Sequence, residues 1–526
     1  MDNKKYKIFL FTYISILGFI ICLFSTFVSP LYDYSGMDMD VLLTIGRGWL
    51  NGKMPYRDLY DHKGFILHFL YLISALIKSN GYIGIFIIHT LIMIIDLFGI
   101  YKLISLFSTD KRYTIATMTI SGLLMNVNFL SGNPLQSEHI AIGCYCYALY
   151  IMIKQLRDNI TITDKQWYII GITSSLLLWS KITLTGFYIG YIIPYFIICV
   201  KQKKVGTFIK NIIFIILGIL TITIPFFIYM FIQGYFKDFI DVYFLDNMNN
   251  YVATYGHCIS YSRAFLNFIG YINISLFPIL LFFIKIKNRK TEKIKLFKIT
   301  EYKTSIVFSF ITLFLITFLN REGWGYYYTV FIIYTSLALY LVLRRMGDKG
   351  YFVDLLKWQS PFKNWKKQII LAIIPIIMIF YYIFIGNVCF LEFYSQRTSI
   401  IETVMSDIES SWKKDTAPNI LEYDLIMGRE YTKWDIVPDI KTFIFLFIRG
   451  EDAKKERTEL IQQQKPDYII ACADLNISGY DLIQEYYIGN YNLDHIDIIF
   501  NNIRTSDTIY LYKKKGVMDY GFYFNL

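Results

Sequence analysis

Long runs of apolar residues, separated by short charged segments, occupy the chain from its start to about residue 388. A helix that crosses a bilayer needs roughly 20 apolar residues, and in these runs the apolar residues fall on all sides of the predicted helix. The clear candidates are 8–28, 82–105, 208–232, 264–284, 304–319, 325–343 and 369–388, and the shorter ones are 113–129, 139–153, 167–180 and 183–200. The pattern predicts an α-helical polytopic membrane protein with about 11 transmembrane helices.

Two apolar runs need separate treatment. A helix over 65–77 would reach only about 21 Å, which is shorter than the ~30 Å hydrocarbon core, so we expect it to lie at the membrane interface within an outer loop, 29–81. The run 8–28 follows a basic start and resembles a signal peptide. Its apolar core is long and no small-residue cleavage site follows Ser29-Pro30, so we expect a retained span.

The composition changes near residue 389, where charged residues return and apolar runs become too short to span a membrane. The periodicity now alternates between helical and strand-like segments. We predict helices at Ser399–Trp412 and Ala453–Gln464, strands at Asn419–Leu425 and Pro466–Ala473, and a closing hairpin of Ile496–Phe500 with Asp507–Lys513. The chain therefore divides into a transmembrane domain, 1–388, and a small α/β domain, 389–526, which is long enough to bury its own core.

The net charge of +11 changes the interpretation only in one respect, the orientation in the membrane. In a soluble protein it would suggest nucleic acid, but with a hydrophobic share of 55% it is better explained by the excess of basic residues in cytoplasmic loops. With a cytoplasmic N-terminus, the inside loops are 111–112, 154–165, 201–204, 285–303 and 344–367, and they hold nearly all basic clusters. This orientation predicts a multi-pass cell-membrane protein whose C-terminal domain is extracytoplasmic, in contact with membrane lipids and not with nucleic acid.

Cysteine and histidine give little sign of a metal or a cofactor. The seven cysteines have no metal-type spacing and the six histidines are scattered, so we predict no obligatory metal and no cofactor. Cys389 and Cys472 would both lie outside the membrane, where they could pair.

Acidic and basic residues from four distant stretches fall on the predicted outer face. Ionisable residues at a membrane boundary tend to face a bundle interior or a water-filled cavity and to mark a substrate path. The first outer loop contributes Asp38, Asp40, Tyr56, Arg57, Asp58, Asp61, His62 and Lys63, and the later stretches contribute Glu138, Lys181 and Arg321. This mixture suits group transfer from a phosphate-linked lipid donor. A carboxylate such as Asp38 can take the proton from an attacking hydroxyl, and Lys181 and Arg321 can stabilise the phosphate that leaves.

The first loop resembles that of the GT-C superfamily of integral membrane glycosyltransferases, which use polyprenyl-phosphate sugars. The relatives are the protein O-mannosyltransferases, the lipid A aminoarabinose transferases and the cell-envelope glycosyltransferases of low-GC Gram-positive bacteria. The last group combines an early Asp and Gly with a Gly-x-x-Pro-Tyr-x-Asp-x-x-(Asp/Glu)-x-Lys-Gly stretch, which is found here as Asp38, Gly46 and the segment from Gly52 to Gly64. The chain departs from the family in the spacing from Asn133 to Glu138 and in the Tyr326–Tyr328 run, where relatives have a His-Tyr pair.

The resemblance implies a GT-C fold and an inverting glycosyltransferase. Its donor would be an undecaprenyl-phosphate sugar, and its acceptor a cell-surface glycopolymer, such as teichoic acid or capsule, or a lipid-linked precursor. Asp38 takes the position of the catalytic base, with Asp40 as the fallback and Glu138 as the second acid. Lys181 corresponds to the phosphate-binding lysine and Arg321 would assist it. The loop and the acceptor entrance would be shaped by Tyr56, Arg57, Asp58, Asp61, His62 and Lys63. The C-terminal domain would help to recognise the acceptor.

Each residue also has a structural interpretation. Asp38 and Asp40 could cap an interfacial helix, as could Glu138 at its own helix, and Arg57 with Asp58 could form a salt-bridged turn. Lys181 and Arg321 could extend to lipid head groups, and the Tyr326–Tyr328 run is typical of an interfacial aromatic belt.

Two other functions remain open at this point, a polymerase of lipid-linked repeat units and a non-enzymatic flippase or scaffold. A polymerase does not need the acidic first loop, and a flippase should carry charges at several depths. The charges here lie near one face, which favours the transferase.

Overall fold

The computed structural model describes residues 3–32, 37–108, 110–125, 134–158, 160–251, 259–271, 299–319, 325–348, 400–412, 414–423, 428–443, 450–487 and 508–516. The helices of the first part are α1 (Asn3–Ser25), α2 (Met37–Leu50), α3 (Phe65–Ile77), α4 (Ile83–Ser105), α5 (Lys111–Met125), α6 (Ser137–Asp158), α7 (Asp164–Leu178), α8 (Gly186–Lys201), α9 (Val205–Ile232), α10 (Phe236–Ile240), α11 (Tyr261–Tyr271), α12 (Ile299–Thr317) and α13 (Ile332–Asp348). Short 3-10 turns at Ile182–Thr185 and Gly325–Phe331 lead into α8 and α13, and a π-helical segment, Asp241–Tyr251, follows α10.

Among the described residues, five helical segments are long and apolar enough to cross a membrane: Lys4–Ser25, Ile83–Ser105, Ile182–Lys201, Val205–Ile232 and Gly325–Arg345. All five coincide with predicted runs. The shorter apolar helices Phe65–Ile77 and Ser305–Thr317 fall below that length. The predicted run 369–388 and most of 264–284 lie outside the described residues, so the number of eleven stays a prediction. The length and composition of these helices indicate a membrane protein.

The helices pack into one bundle with a continuous core. α4 lies against α1, α5 and α6, while α7 packs along α9 and α8 along α12. Large apolar side chains remain exposed on the outer surfaces of α1 and α9, such as Phe11, Ile213 and Ile232. Such broad apolar surfaces on otherwise well-packed helices are expected where lipid is the solvent.

The C-terminal part folds as a four-stranded sheet with helices beside it. Its helices are α14 (Ile400–Ser411), α15 (Arg429–Lys433) and α16 (Gly450–Gln462), and its strands are β1 (Ile420–Tyr423), β2 (Tyr468–Ala471), β3 (Tyr480–Tyr487) and β4 (Thr508–Lys514). The strand order is β1-β2-β4-β3, with β1 parallel to β2 and the other pairs antiparallel. The sheet confirms the prediction of a small α/β unit.

The last strand that the structure describes, β4, pairs with a different strand from the one that we predicted. β4 pairs with β3, Tyr480–Tyr487, which the sequence pattern did not single out, and also with β2. The expected partner, Ile496–Phe500, lies outside the described residues. β3 is difficult to recognise because it is an edge strand whose side chains from 481 to 485 are exposed, and a strand with so few buried positions has no clear alternation.

The C-terminal unit packs against the first-loop region of the membrane bundle. Val41, Ile45 and Leu59 of the first-loop region share one hydrophobic cluster with C-terminal side chains such as Tyr431 and Phe443. Backbone and ionic contacts join the same surfaces, since Tyr60 N donates to Lys441 O at 2.9 Å and Lys53 Nζ lies 2.8 Å from Asp439. The sheet unit is therefore fixed over the first loop.

Candidate functional site

Helix α2 begins with two carboxylates in different surroundings. The Asp38 side chain is 19% exposed; its Oδ1 lies 3.1 Å from Lys63 Nζ, and its Oδ2 accepts from Gln136 Nε2 at 3.3 Å. Asp40 is completely buried and accepts from the Tyr82 hydroxyl at 2.6 Å. Both carboxylates also lie in the first turn of a helix, where the dipole favours negative charge. Of the two, only Asp38 is open to solvent.

The first loop folds into a tight turn held by its own charges. Asp58 accepts from Met54 N at 2.7 Å and forms a bidentate pair with Arg57, whose other nitrogen donates to Gln233 O at 2.8 Å. The Arg57 pair lowers the pKa of the Asp58 carboxyl. Tyr56 has a φ of 70° and is fully buried, with its hydroxyl donating to Lys63 O at 2.8 Å. Tyr56 thus fixes the position of Lys63, and the Arg57–Asp58 pair ties the loop to the end of α9.

Asp61 is fully buried behind Asp38 and forms a network of ionisable groups with His62 and Lys63, whose side chains are 18% and 17% exposed. Asp61 Oδ2 lies 3.0 Å from His68 Nε2, and its Oδ1 lies 3.4 Å from His62 Nδ1 and 3.8 Å from Lys63 Nζ. Burial alone would raise the pKa of the Asp61 carboxyl, but Lys63, His68 and His62 outweigh it and hold that pKa below its usual range. Burial alone would lower the pKa of Lys63, but Asp38 and Asp61 raise it instead. Lys63 is therefore a permanent cation beside Asp38.

His62 is neutral in this network. Its burial outweighs the neighbouring Asp61 and lowers its pKa to about 4. The ring stands 4.7 Å from that of Tyr251, measured between centroids, and its backbone carbonyl accepts from Asn247 at 2.8 Å. The aromatic pair borders the site on the side of the π-helical segment.

Close backbone contact brings the loop to the end of α7. Gly64 N donates to Ser180 O at 3.2 Å and Ile66 N donates to Trp179 O at 3.0 Å. A Cβ at Gly64 would overlap the Trp179 carbonyl, so only glycine allows this approach. The contact explains why a glycine follows Lys63 in the motif, and it places the loop next to Lys181.

Glu138 and Lys181 form a tight ion pair at the site. Lys181 Nζ lies 2.7 Å from Glu138 Oε1; the glutamate side chain is 2% exposed and the lysine side chain 23%. The ammonium also lies 3.2 Å from the centroid of the Tyr327 ring. We expected the Tyr326–Tyr328 run to be an interfacial aromatic belt, but Tyr327 and Tyr328 are buried, and Tyr327 supports Lys181 through a cation–π contact.

The turn before α6 contributes residues that the sequence analysis did not identify. Leu135 has a φ of 57°, and its N–H donates to His89 Nδ1 at 3.1 Å, while Gln136 N donates to His139 Nδ1 at 3.3 Å. The two imidazoles thus hold a strained turn, from which Gln136 reaches Asp38 and Glu138 reaches Lys181. A leucine and a glutamine in a loop carry no motif, although the adjacent His139 was a possible signal.

The predicted residues fall into three groups. Asp38, Asp61, His62, Lys63, Glu138 and Lys181 come together, since Lys63 interacts electrostatically with Asp38, Asp61 and Glu138, and His62 with Lys181. Asp40, Tyr56, Arg57 and Asp58 support this cluster from around it. Arg321 lies outside the described residues. Among the described residues, no three His, Cys, Asp or Glu side chains are arranged to hold a metal ion. The cluster offers one partly exposed carboxylate, Asp38, and two cations, Lys63 and Lys181, which is a set suited to proton transfer beside an anionic group.

No protein-family model matches the chain, and no curated protein matches it in sequence. Solved structures do resemble it. ArnT from Cupriavidus metallidurans bound to undecaprenyl phosphate gives a TM-score of 0.55 at 10% identity, over 96% of this chain and 97% of ArnT. The apo state of ArnT gives 0.57 at 9% identity, over 97% and 98%. At this identity the likeness shows a shared fold and nothing more. It agrees with the GT-C fold that the first-loop motif led us to expect.

The archaeal oligosaccharyltransferase AglB from Archaeoglobus fulgidus, in complex with an inhibitory peptide and a dolichol-phosphate, gives a TM-score of 0.46 at 11% identity, over 90% of this chain and 70% of AglB. A score below 0.5 does not establish a common fold.

Proposed function

We propose that the protein is an inverting glycosyltransferase that moves a sugar from a polyprenyl-phosphate donor to an acceptor hydroxyl at the outer face of the membrane. The observation that carries the proposal is the placement of a partly exposed carboxylate, Asp38, beside the permanent cation Lys63 and close to the Lys181–Glu138 pair. One structure with the same fold, that of ArnT, is bound to undecaprenyl phosphate, which supports this lipid phosphate as the donor carrier.

In the proposed reaction Asp38 acts as the general base. As the acceptor oxygen forms a bond to the anomeric carbon of the donor sugar, its proton passes to the Asp38 carboxylate. The bond between that carbon and the phosphate oxygen breaks, and its electron pair stays on the polyprenyl phosphate. Attack and departure on opposite faces of the sugar give inversion, which rests on the sequence resemblance. Lys63 and Gln136 hold the two carboxylate oxygens, and so orient Asp38 for the transfer.

Lys181 is proposed to stabilise the phosphate that leaves. An ammonium has three N–H donors, and its bond to Glu138 uses one of them. The Tyr327 ring and Glu138 fix the lysine in place, so that little reorganisation is needed when negative charge develops on the phosphate. Arg321 is proposed as a second cation on the basis of the sequence alone.

The acceptor side is proposed to lie between the first loop and the C-terminal unit. His62, whose ring packs against that of Tyr251 at a tilt of 30°, would border the acceptor. Tyr56, Arg57 and Asp58 keep the loop in shape. An envelope glycopolymer or a lipid-linked precursor is the proposed acceptor class, which rests on the sequence resemblance.

The test compares Asp38→Asn with Asp40→Asn in membranes that contain equal amounts of each protein. Radiolabelled sugar is followed from undecaprenyl-phosphate donors to native envelope acceptors. We expect Asp38→Asn to lower transfer by about 10²–10⁴-fold, as is typical for the loss of a general base. Asp40→Asn should lose less than about ten-fold, because asparagine can still accept the hydrogen bond from Tyr82.

Equal activity of Asp38→Asn and wild type would show that the base is elsewhere. A wild-type protein that transfers sugar from no donor would overturn the proposed function and favour the polymerase or flippase.

A further inference from the structure

We propose that Arg429 of the C-terminal unit and Tyr82 are positioning residues for catalysis, which act through Asp40 to fix the helix turn that carries Asp38. The chain of contacts Arg429–Tyr82–Asp40 is called the clamp below. This inference rests on the proposed function for its catalytic part. It gives Asp40 a role other than the base, and it gives the C-terminal unit a role in catalysis in addition to acceptor recognition.

The inner half of the clamp is a short, buried hydrogen bond. The Tyr82 hydroxyl donates to Asp40 Oδ1 at 2.6 Å, and both side chains are buried, with exposures of 1% and 0%. Asp40 is two residues from Asp38 in the same helix, so a rotation of this turn displaces both carboxylates together. Hydrogen bonds to a buried charge are strong and directional, and this bond therefore restrains the turn.

The outer half belongs to the C-terminal unit. Arg429 donates from one guanidinium nitrogen to the Tyr82 hydroxyl at 2.8 Å and from Nε to Glu402 at 2.8 Å, and its guanidinium lies 5.4 Å from the centroid of the Tyr82 ring. Because the Tyr82 hydroxyl accepts from Arg429, its own proton points to Asp40. Glu402 lies on α14, so the clamp connects α2 to two helices of the C-terminal unit, α14 and α15.

The backbone next to Arg429 packs closely against the first turn of α2. Gly428 has a φ of 70°, and a Cβ there would lie 3.2 Å from the Asp40 Cβ and 3.6 Å from Val41 N. Gly428 N donates to Glu422 Oε1 at 2.8 Å, which ties this position to strand β1. The start of α2 is therefore in contact with a segment that the sheet itself holds in place.

These contacts decide what each residue does. Asp40 is buried under Tyr82 and the C-terminal unit, so it does not reach an acceptor. Among the described groups of the proposed reaction, Arg429 touches none and instead contacts Tyr82 and Glu402. Their effect on catalysis must pass through the geometry of Asp38. A loss in this geometry lowers kcat, because the proton transfer depends on it, and leaves donor binding at Lys181 unchanged.

The experiment measures kcat and KM for the donor in Arg429→Met, Arg429→Lys, Tyr82→Phe and the double variant Arg429→Met/Tyr82→Phe. Lys433→Met is the matched control, because Lys433 lies on the same short helix and pairs with the exposed Glu409 at 2.8 Å. We expect kcat to fall about ten-fold in each single variant with methionine or phenylalanine, which corresponds to the loss of one charge-assisted hydrogen bond. KM should stay within about two-fold, and Arg429→Lys should recover part of the lost kcat.

The double variant distinguishes the clamp from two independent effects. In a single chain of contacts, the second substitution should lower kcat little beyond the first, whereas independent effects would multiply to about a hundred-fold. A multiplied loss, unchanged kcat in both single variants, or an equal loss in Lys433→Met would each overturn the proposal. Tyr82→Phe removes only one oxygen atom, so it tests the clamp even if Arg429→Met does not fold.

Hydrogen–deuterium exchange of the peptide 37–50 gives a second measurement that does not need activity. The hydrogen-bonded amides of this peptide should exchange about ten-fold faster in Tyr82→Phe and Arg429→Met than in wild type and Lys433→Met. If the two variants exchange faster but the wild type transfers no sugar, the clamp is supported and the proposed function is overturned. If the wild type is active but the variants change neither exchange nor kcat, the proposed function is supported and the clamp is overturned.

Discussion

At the scale of single residues, His62 should make the protein sensitive to acid. Its pKa falls from 6.5 to about 4 in the folded protein, so folding favours the neutral ring. This contribution is present above pH 6.5 and is lost as the pH falls from there towards 4, because the unfolded chain then binds a proton that the folded one does not. At pH 5 the loss amounts to about 2 kcal/mol of unfolding free energy.

Thermal unfolding in detergent at pH 7.5 and pH 5.0 measures this effect. The midpoint of wild type should drop more between the two pH values than that of His62→Gln, which has no ring to protonate. The difference between the two proteins at pH 7.5 is the control for the substitution itself. Equal drops in both proteins would show that the ring is protonated at the same pH in the folded and unfolded states.

The site residues also show how far the sequence alone could lead. The motif predicted Asp38, Asp61 and Lys63, and the structure brings all three together. The motif placed Asp38 as the base with Asp40 as the fallback, but it could not show which of the two is exposed. Residues two apart on a helix point about 200° from each other, and only the packing around them decides their exposure. Gln136 was missed since its role depends on a turn that the neighbouring His139 and the distant His89 hold.

At the scale of elements, the contact between the first loop and the end of α7 should depend on Gly64. An alanine there would push its methyl group into the Trp179 carbonyl, and forcing a group into a packed contact costs about 1–3 kcal/mol. We expect Gly64→Ala to lower the thermal midpoint and to reduce transfer, because Lys63 moves with its neighbour. The matched control is Gly206→Ala, which has nothing within 4 Å of the added carbon. Equal midpoints for the two variants would rule out the close contact.

The elements themselves were predictable where their periodicity is strong. Within the part of the chain that the structure describes, the five long apolar helices appear close to their expected positions, and so do α14, α16, β1 and β2. The hydrophobic pattern fails where burial is uneven, as in the exposed edge strand β3, and where a helix is too short to show a period, as in α15. Arg429 lies on α15, and because this short helix could not be predicted, the clamp could not be found from the sequence.

At the scale of the whole molecule, the positions of the helix ends show that the site and a basic turn lie at opposite ends of the bundle. α7 ends beside the site at Leu178, and α9 ends there too, where Arg57 binds Gln233 O. The turn between α8 and α9 therefore lies at the opposite end of the bundle, and it carries Lys201, Lys203 and Lys204. The C-terminal unit packs on the site end through the cluster that includes Val41 and Leu59. The basic turn and the C-terminal unit thus lie at opposite ends.

This arrangement predicts the orientation in the membrane by the positive-inside rule, with the basic turn in the cytoplasm and the site outside. Single cysteines at two exposed positions test it, Gln202→Cys in the basic turn and Glu459→Cys on α16. A membrane-impermeant maleimide should label Glu459→Cys in intact cells above the level of the parent protein. It should label Gln202→Cys only after the cells are permeabilised. The reverse pattern would place the site in the cytoplasm, where an acceptor at the outer face could not reach Asp38.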